Sequence, residues 1–241
     1  MNKKQSNTNI IFPNKSGGAG SYLKEIKVTN YPICIFSDSH CDLTNIKKLK
    51  NLYPNNLLLS LGDITQIFSP KNDLSNSSSI DFFIDNNIPT LMSNHEEHIL
   101  DAESNTLVLF FKDSNNDNNS INGNSYGLKK HHINFLENLP LGFKLILPNG
   151  KYYLLYHHAP RNLWGFYDKG SLNDSHFKKI YDITDDNVLG VIHGHCHNNF
   201  TDYYKTLNIT KYCVGVIAPK KGGYGGNYLL LTEKGLEYKK L

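Results

Sequence analysis

Ile33-Cys34-Ile35-Phe36-Ser37-Asp38-Ser39-His40 decides how this chain is read. Four apolar residues in a row, without polar alternation, suit a short strand covered on both faces. The run ends at once in a carboxylate and an imidazole. The same arrangement recurs four more times. Leu57 to Leu61 is followed by Gly62-Asp63, and Thr90 to Met92 by Ser93-Asn94-His95-Glu96. Tyr152 to Tyr156 leads into His157-His158-Ala159-Pro160-Arg161, and Val188 to Ile192 into His193-Gly194-His195-Cys196-His197. Helical spacing falls between these runs. Leu43, Ile46, Leu49 and Leu52 stand three apart, and Ile80 to Asn86 and Ile133 to Leu139 are shorter helix candidates. Beyond Val188 the pattern turns β-rich. Tyr212 to Ile217, a glycine turn over 222–226 and Tyr228 to Thr232 predict a hairpin near the end. The fold class is therefore α/β.

Open α/β sheets bind ligands at the carboxyl ends of their strands. Five strands that deliver Asp, His and Asn to one edge converge on one site. Residues i and i+2 of an extended segment point the same way, so Asp38 and His40 can reach one ion and His195 and His197 can face the same centre. Carboxylate, imidazole and amide oxygen suit Mn, Fe, Zn or similar ions, not a soft thiolate site. The donors are too many for one tetrahedral ion with an open position. They suit two ions that share a carboxylate. Asp174-Ser175-His176 repeats the letters of the first motif but follows no strand, so it is set aside. His95-Glu96-Glu97-His98 falls one residue short of a zincin helix, since Ile99 stands where the second His is needed.

Composition narrows the rest. A chain of 241 residues, 39% hydrophobic, supports one domain with a real core. Residues 1–28 read as a flexible lead-in or loosely attached strand, and 29–241 as the domain. No apolar run approaches the roughly 20 residues of a membrane helix, and no signal-peptide core is visible, so a cytoplasmic location is expected. A net charge of +3, with scattered lysine pairs, gives no strong nucleic-acid signal. The four cysteines have no paired spacing and do not read as a disulfide framework. Ser69 to Ser79 and Lys112 to Ser125 have little to bury and are expected to be surface loops. Eleven histidines are many for this length, whereas Arg161 is the single arginine. His131 and His132 are expected on a solvated face, and His193 as a satisfied core histidine.

The ordered set D-x-H, G-D, N-H-[ED], H and G-H-x-H resembles the calcineurin-like metallophosphoesterase superfamily over about residues 33–217. Phe135-Leu136-Glu137-Asn138-Leu139-Pro140, then the strand ending in His157-His158-Ala159-Pro160-Arg161, is similar to its small bacterial and archaeal phosphodiesterase branch. The resemblance implies a two-sheet β-sandwich flanked by helices, a four-layer α-β-β-α fold. It implies two divalent metal ions, with Mn²⁺ first and Fe, Zn, Ni or Co as other occupants. Asp38, His40 and His197 would hold one ion, Asn94, His157 and His195 the other, and Asp63 would bridge them. His95 would be the catalytic histidine. Apart from the resemblance, Arg161, the single arginine and four residues past a candidate ligand, is read as a substrate contact or, alternatively, as a structural salt bridge. Alignment on H-G-[SA]-P-R selects His157, whereas alignment on His-Ala-Pro alone selects His158; the first is preferred.

The implied activity is hydrolysis of small phosphate esters, foremost phosphodiesters, by hydroxide held between the ions. A phosphomonoesterase is the alternative, and a non-catalytic scaffold of the same fold a more distant one. Ser93 departs from the family, which usually has glycine before N-H. Tyr212-Cys213-Val214-Gly215 stands where the finer branch often has N-P-G-S. A lone arginine excludes the arginine-clamped protein phosphatases and speaks against the diadenosine-tetraphosphate hydrolases. The oligomeric state is left open.

Overall fold

The structure, a computed structural model, describes residues 10–11, 23–67, 74–103, 128–158, 186–205, 208–219 and 225–241. Side chains of 10–11 and 101–103 are outside that description. In chain order the strands are β1 (Ile10–Ile11), β2 (Leu23–Lys27), β3 (Ile33–Phe36) and β4 (Leu57–Ser60), with helix α1 (Thr44–Leu52) between the last two. Helices α2 (Ser75–Asp85), α3 (Asn94–Glu103) and α4 (Lys130–Glu137) follow. Then come β5 (Gly142–Ile146), β6 (Tyr152–Tyr156), β7 (Val188–His193), β8 (Phe200–Tyr204), β9 (Ile209–Cys213), β10 (Asn227–Thr232) and β11 (Gly235–Lys240).

The strands form two sheets. One has seven strands in the order β1-β2-β5-β6-β7-β9-β8, the other four in the order β11-β10-β3-β4. Their facing sides share one core. Ile33, Ile35, Leu59, Leu229 and Leu231 of the smaller sheet pack with Phe143, Leu145, Tyr153, Leu155 and Ile192 of the larger. The alternate residues point outward. Cys34, Phe36, Leu58 and Leu230 meet Ile46 and Leu49 of α1, Phe83 of α2 and Leu136 of α4. On the other side of the sandwich, Tyr152, Leu154 and Val191 form a third cluster. Apolar runs without alternation arise because both faces of these strands are buried. The described helices all pack on the four-stranded sheet. Among the described residues no helix covers the outer face of the seven-stranded sheet.

Four expectations change. Strand β2 pairs in parallel with β5, and Ile26 is fully buried, so the fold begins before residue 29. Thr90 makes only one bridge, to Ser60, because Asn94 already opens α3. Strands β9 and β10 lie in different sheets and form no hairpin; β10 instead hairpins with β11. Ser75 to Ser79 is helix rather than loop. Asn76 and Ser79 are buried there and bond the backbone that follows Asp63. Asn76 bonds Gln66 both ways, at 2.7 and 3.0 Å, and Ser79 Oγ donates to Ile64 O at 2.7 Å. The 112–125 stretch lies outside the described residues.

Candidate metal centre

Strands β3 and β4 run parallel, as do β6 and β7, so their carboxyl ends come out on common edges. The loops beyond them are laced together. Asp38 N–H donates to Gly62 O at 3.1 Å, and His40 N–H to Asp63 O at 2.9 Å. Gly194 N–H donates to His157 O at 3.0 Å, and His195 N–H to Asp38 Oδ2 at 3.1 Å. The last bond joins the two sheets. Gly194 makes this approach possible: a Cβ there would stand 2.0 Å from Ser37 Oγ and 2.9 Å from Asp38 Oδ2.

Asp38, His40, Asp63, His195 and His197 all have positive φ, between 45° and 68°. Asp38 and His40 offer donor atoms to one group, whereas His195 and His197 fall in different groups. These segments are not extended; left-handed turns aim the side chains inward. Such backbone costs roughly 1–3 kcal/mol per non-glycine residue and clusters at functional sites.

The donor atoms fall into two groups that share one residue. Asp38, His40, Asp63 and His197 each offer an atom within 4.8 Å of the others, and so do Asp63, His157 and His195. His197 Nε2 is 3.2 Å from Asp38 Oδ1 and 3.0 Å from His40 Nε2. His157 Nε2 is 3.3 Å from Asp63 Oδ1. His157, not His158, stands in the second group; the His158 ring lies 5.0 Å from that of His195. Asn94 opens α3, and its Oδ1 is buried without a hydrogen-bond partner. His197 is 37% exposed while Asp38 is fully buried, so the cluster opens to solvent on the His197 side.

Electrostatics favour a cation here. His157 Nδ1 lies 2.9 Å from Leu61 O. A carbonyl only accepts, so Nδ1 carries the proton, and neutral Nε2 presents a lone pair. Burial pushes the His157 imidazole down to about 3, which keeps it neutral. Its lone pair then faces the Asp63 carboxyl at 3.3 Å, a contact that a metal ion or a proton on Asp63 would make favourable. Burial, together with Asp38 and Glu96, pushes the Asp63 carboxyl well up. Burial acts the same way on Asp38, but His197 and His157 outweigh it and hold that carboxyl below its ordinary range. Oxygen and nitrogen donors, two buried carboxylates and the orphaned Asn94 Oδ1 fit divalent ions of the Mn–Zn type.

His95 sits beside the shared carboxylate, with Nε2 3.7 Å from Asp63 Oδ2. Its Nδ1 is held by Thr65 O at 2.8 Å. Glu96 was not singled out by sequence, although it follows His95 directly. It is fully buried and accepts the backbone N–H groups of Asp63, Ile64 and Thr65, each at 3.1 Å, and the Thr65 hydroxyl at 2.7 Å. It clamps the turn that carries Asp63. The available signal was its place as the third residue of the N-H-[ED] motif. His193 is buried, with Nδ1 2.9 Å from Gly194 O, as a core histidine. His132 is also buried, contrary to expectation. It bonds Asp81 of α2 at 2.8 Å and caps its own helix through Lys129 N–H at 3.0 Å. Arg161 lies outside the described residues.

No protein-family model matches the chain, and no curated protein does. Solved structures do. A metallophosphoesterase from Sphaerobacter thermophilus is 15% identical, covers 88% of each chain and superposes with a TM-score of 0.56. A protein taken to be a diadenosine tetraphosphatase is 12% identical, covers 91% of this chain and 98% of its own, with a TM-score of 0.52. The chain has the calcineurin-like metallophosphoesterase fold.

Proposed function

We propose that this protein hydrolyses phosphate esters with two divalent metal ions, and that phosphodiesters are its substrates. The observation that carries the reading is Asp63, the one residue common to both donor groups. Asp38, His40 and His197 would hold one ion and Asn94, His157 and His195 the other. Bound there, such ions supply a nucleophile from water near neutral pH and offset charge on the phosphoryl oxygens. The chain does the rest. Thr65 O fixes the proton on His95 Nδ1, so Nε2 is the nitrogen that exchanges a proton with the leaving oxygen. Asn94 orients one phosphoryl oxygen through its amide. Glu96 keeps the Asp63 turn from moving as charge develops. Small phosphate esters suit a site with one arginine in the chain, Arg161, which we assign to the substrate phosphate.

The test is hydrolysis of bis(p-nitrophenyl) phosphate by purified protein with Mn²⁺, beside p-nitrophenyl phosphate. Faster turnover of the diester is expected. Faster turnover of the monoester would overturn the substrate choice. Hydrolysis of neither with Mn, Fe, Zn, Co or Ni would overturn the activity.

A further inference from the structure

Cys196 stands between His195 and His197. The two imidazoles belong to the donor groups, one to each, whereas Cys196 packs against the cluster of Tyr152, Leu154 and Val191 on the outer face of the larger sheet. There it meets Cys213, the last residue of β9. The two sulfurs and a nitrogen of His193 lie within 4.8 Å of one another, and the thiols are hydrogen-bonded. One carbonyl sets the pair: Gly194 O accepts the Cys196 backbone N–H at 2.8 Å and the Cys213 thiol at 3.6 Å. Cys213 is fully buried and Cys196 is partly exposed, so a small reagent meets Cys196 first. Cys213 is also the fixed member. It is paired with His193 of β7 on one side and Phe200 of β8 on the other, and Val214 N–H next to it donates to His193 O at 2.9 Å.

We propose that Cys196 and Cys213 are a site of reversible oxidation, and that their disulfide draws the turn of His195 and His197 away from both donor groups. Hydrogen peroxide is the oxidant. The Cys196 sulfur attacks one peroxide oxygen, the O–O bond breaks, and a sulfenic acid and water result. The Cys213 sulfur then attacks the Cys196 sulfur. The S–S bond forms, the S–O bond breaks, and the departing hydroxide takes the Cys213 proton and leaves as water. Two thiols lose two electrons, and the peroxide gains them. The new bond holds the sulfurs about 2.05 Å apart, closer than hydrogen-bonded thiols stand. Because β9 is tied on both sides, the closure falls on the turn. His195 and His197 move with Cys196, so both ions are loosened at once.

The effect on the ions rests on the metal reading above, whereas the disulfide does not, and the test separates the two. Metal-free wild type, Cys213→Ser and Cys213→Ala are reduced, treated with limiting hydrogen peroxide and desalted. Thermal melts check that each variant folds. Peptide mass spectrometry of oxidised wild type should find the Cys196 and Cys213 peptides joined, with the mass of two hydrogens lost. Calorimetric titration should then show Mn²⁺ bound roughly 10- to 100-fold less tightly than by reduced wild type. Dithiothreitol should restore the affinity. Both Cys213 variants should keep the affinity of reduced wild type through the same treatment. Peptides joined through Cys34 or Cys41 instead, or no joined peptides, would overturn the disulfide. A mapped disulfide with unchanged Mn²⁺ affinity would overturn its hold on the centre, as would an equal loss of affinity in the Cys213 variants. Absence of Mn²⁺ binding by reduced wild type would overturn the metal reading itself.

Discussion

His95 and His157 are tied through Nδ1 to backbone carbonyls, Thr65 O and Leu61 O, at 2.8 and 2.9 Å. Each ring therefore turns Nε2 toward Asp63. Their roles differ by position: His157 belongs to a donor group, whereas His95 stands outside both. His95→Asn should keep bound metal near wild type by elemental analysis. It should lower kcat on the diester about 10²- to 10⁴-fold. Loss of the metal would make His95 a ligand instead. At this scale the sequence named the residues that gather around Asp63, because donor types behind apolar runs are visible as letters. It placed Ser93 and Glu96 behind the third run but gave neither a role at the centre, since hydrogen bonds to a turn leave no periodic mark. Nor did it show the left-handed backbone at Asp38, His40, His195 and His197, which only close loop packing imposes.

Strands β3, β6 and β7 were legible because burial on both faces writes continuous apolar runs. Strand β2 (LKEIK) and β5 (GFKLI) were not, because Lys24, Glu25 and Lys27 break the first run and Lys144 the second. Edge strand β8 (FTDYY) is mostly exposed and has no burial pattern to betray it. The start of α2 was hidden for the opposite reason: its serines and Asn76 read as loop, yet bind the backbone that follows Asp63. The join between β7 and β3 depends on Gly194. Gly194→Ala sets a Cβ 2.0 Å from Ser37 Oγ, so the two loops must part. Stability should fall by roughly 1–3 kcal/mol in urea unfolding. Mn²⁺ affinity should fall with it, since His195 and Asp38 separate. An unchanged midpoint would show that the sheets do not rely on this contact.

The described residues form a sandwich whose two sheets pack face to face, with a cluster of buried acids and imidazoles in the loops beyond β3, β4, β6 and β7. The letters suggested two sheets only through a resemblance; crossing strands between β9 and β10 is invisible in sequence. The cluster also shapes the pH response. Burial holds His157 and His193 down to about 3, far below the 6.5 of an exposed imidazole. The unfolded chain then binds more protons between those values, so stability is lost as pH falls below about 6.5. Asp63 acts in the opposite sense, because its raised carboxyl favours the folded state at lower pH. His193 is not a metal donor in either group, so it isolates the effect. Metal-free wild type should lose more urea stability between pH 7 and 5 than His193→Asn does. Equal losses would contradict a neutral, buried His193. Each Mn²⁺ present at 100 times its own Kd should add about 2.7 kcal/mol at pH 7.

The most direct measurement is an anomalous difference map from crystals soaked in Mn²⁺, recorded at the manganese edge. Two peaks are predicted, one on each side of the Asp63 carboxylate, the first among Asp38, His40 and His197, the second among Asn94, His157 and His195. A single peak, or peaks only at Asp81 with His131 and His132, would contradict a centre built on a shared Asp63.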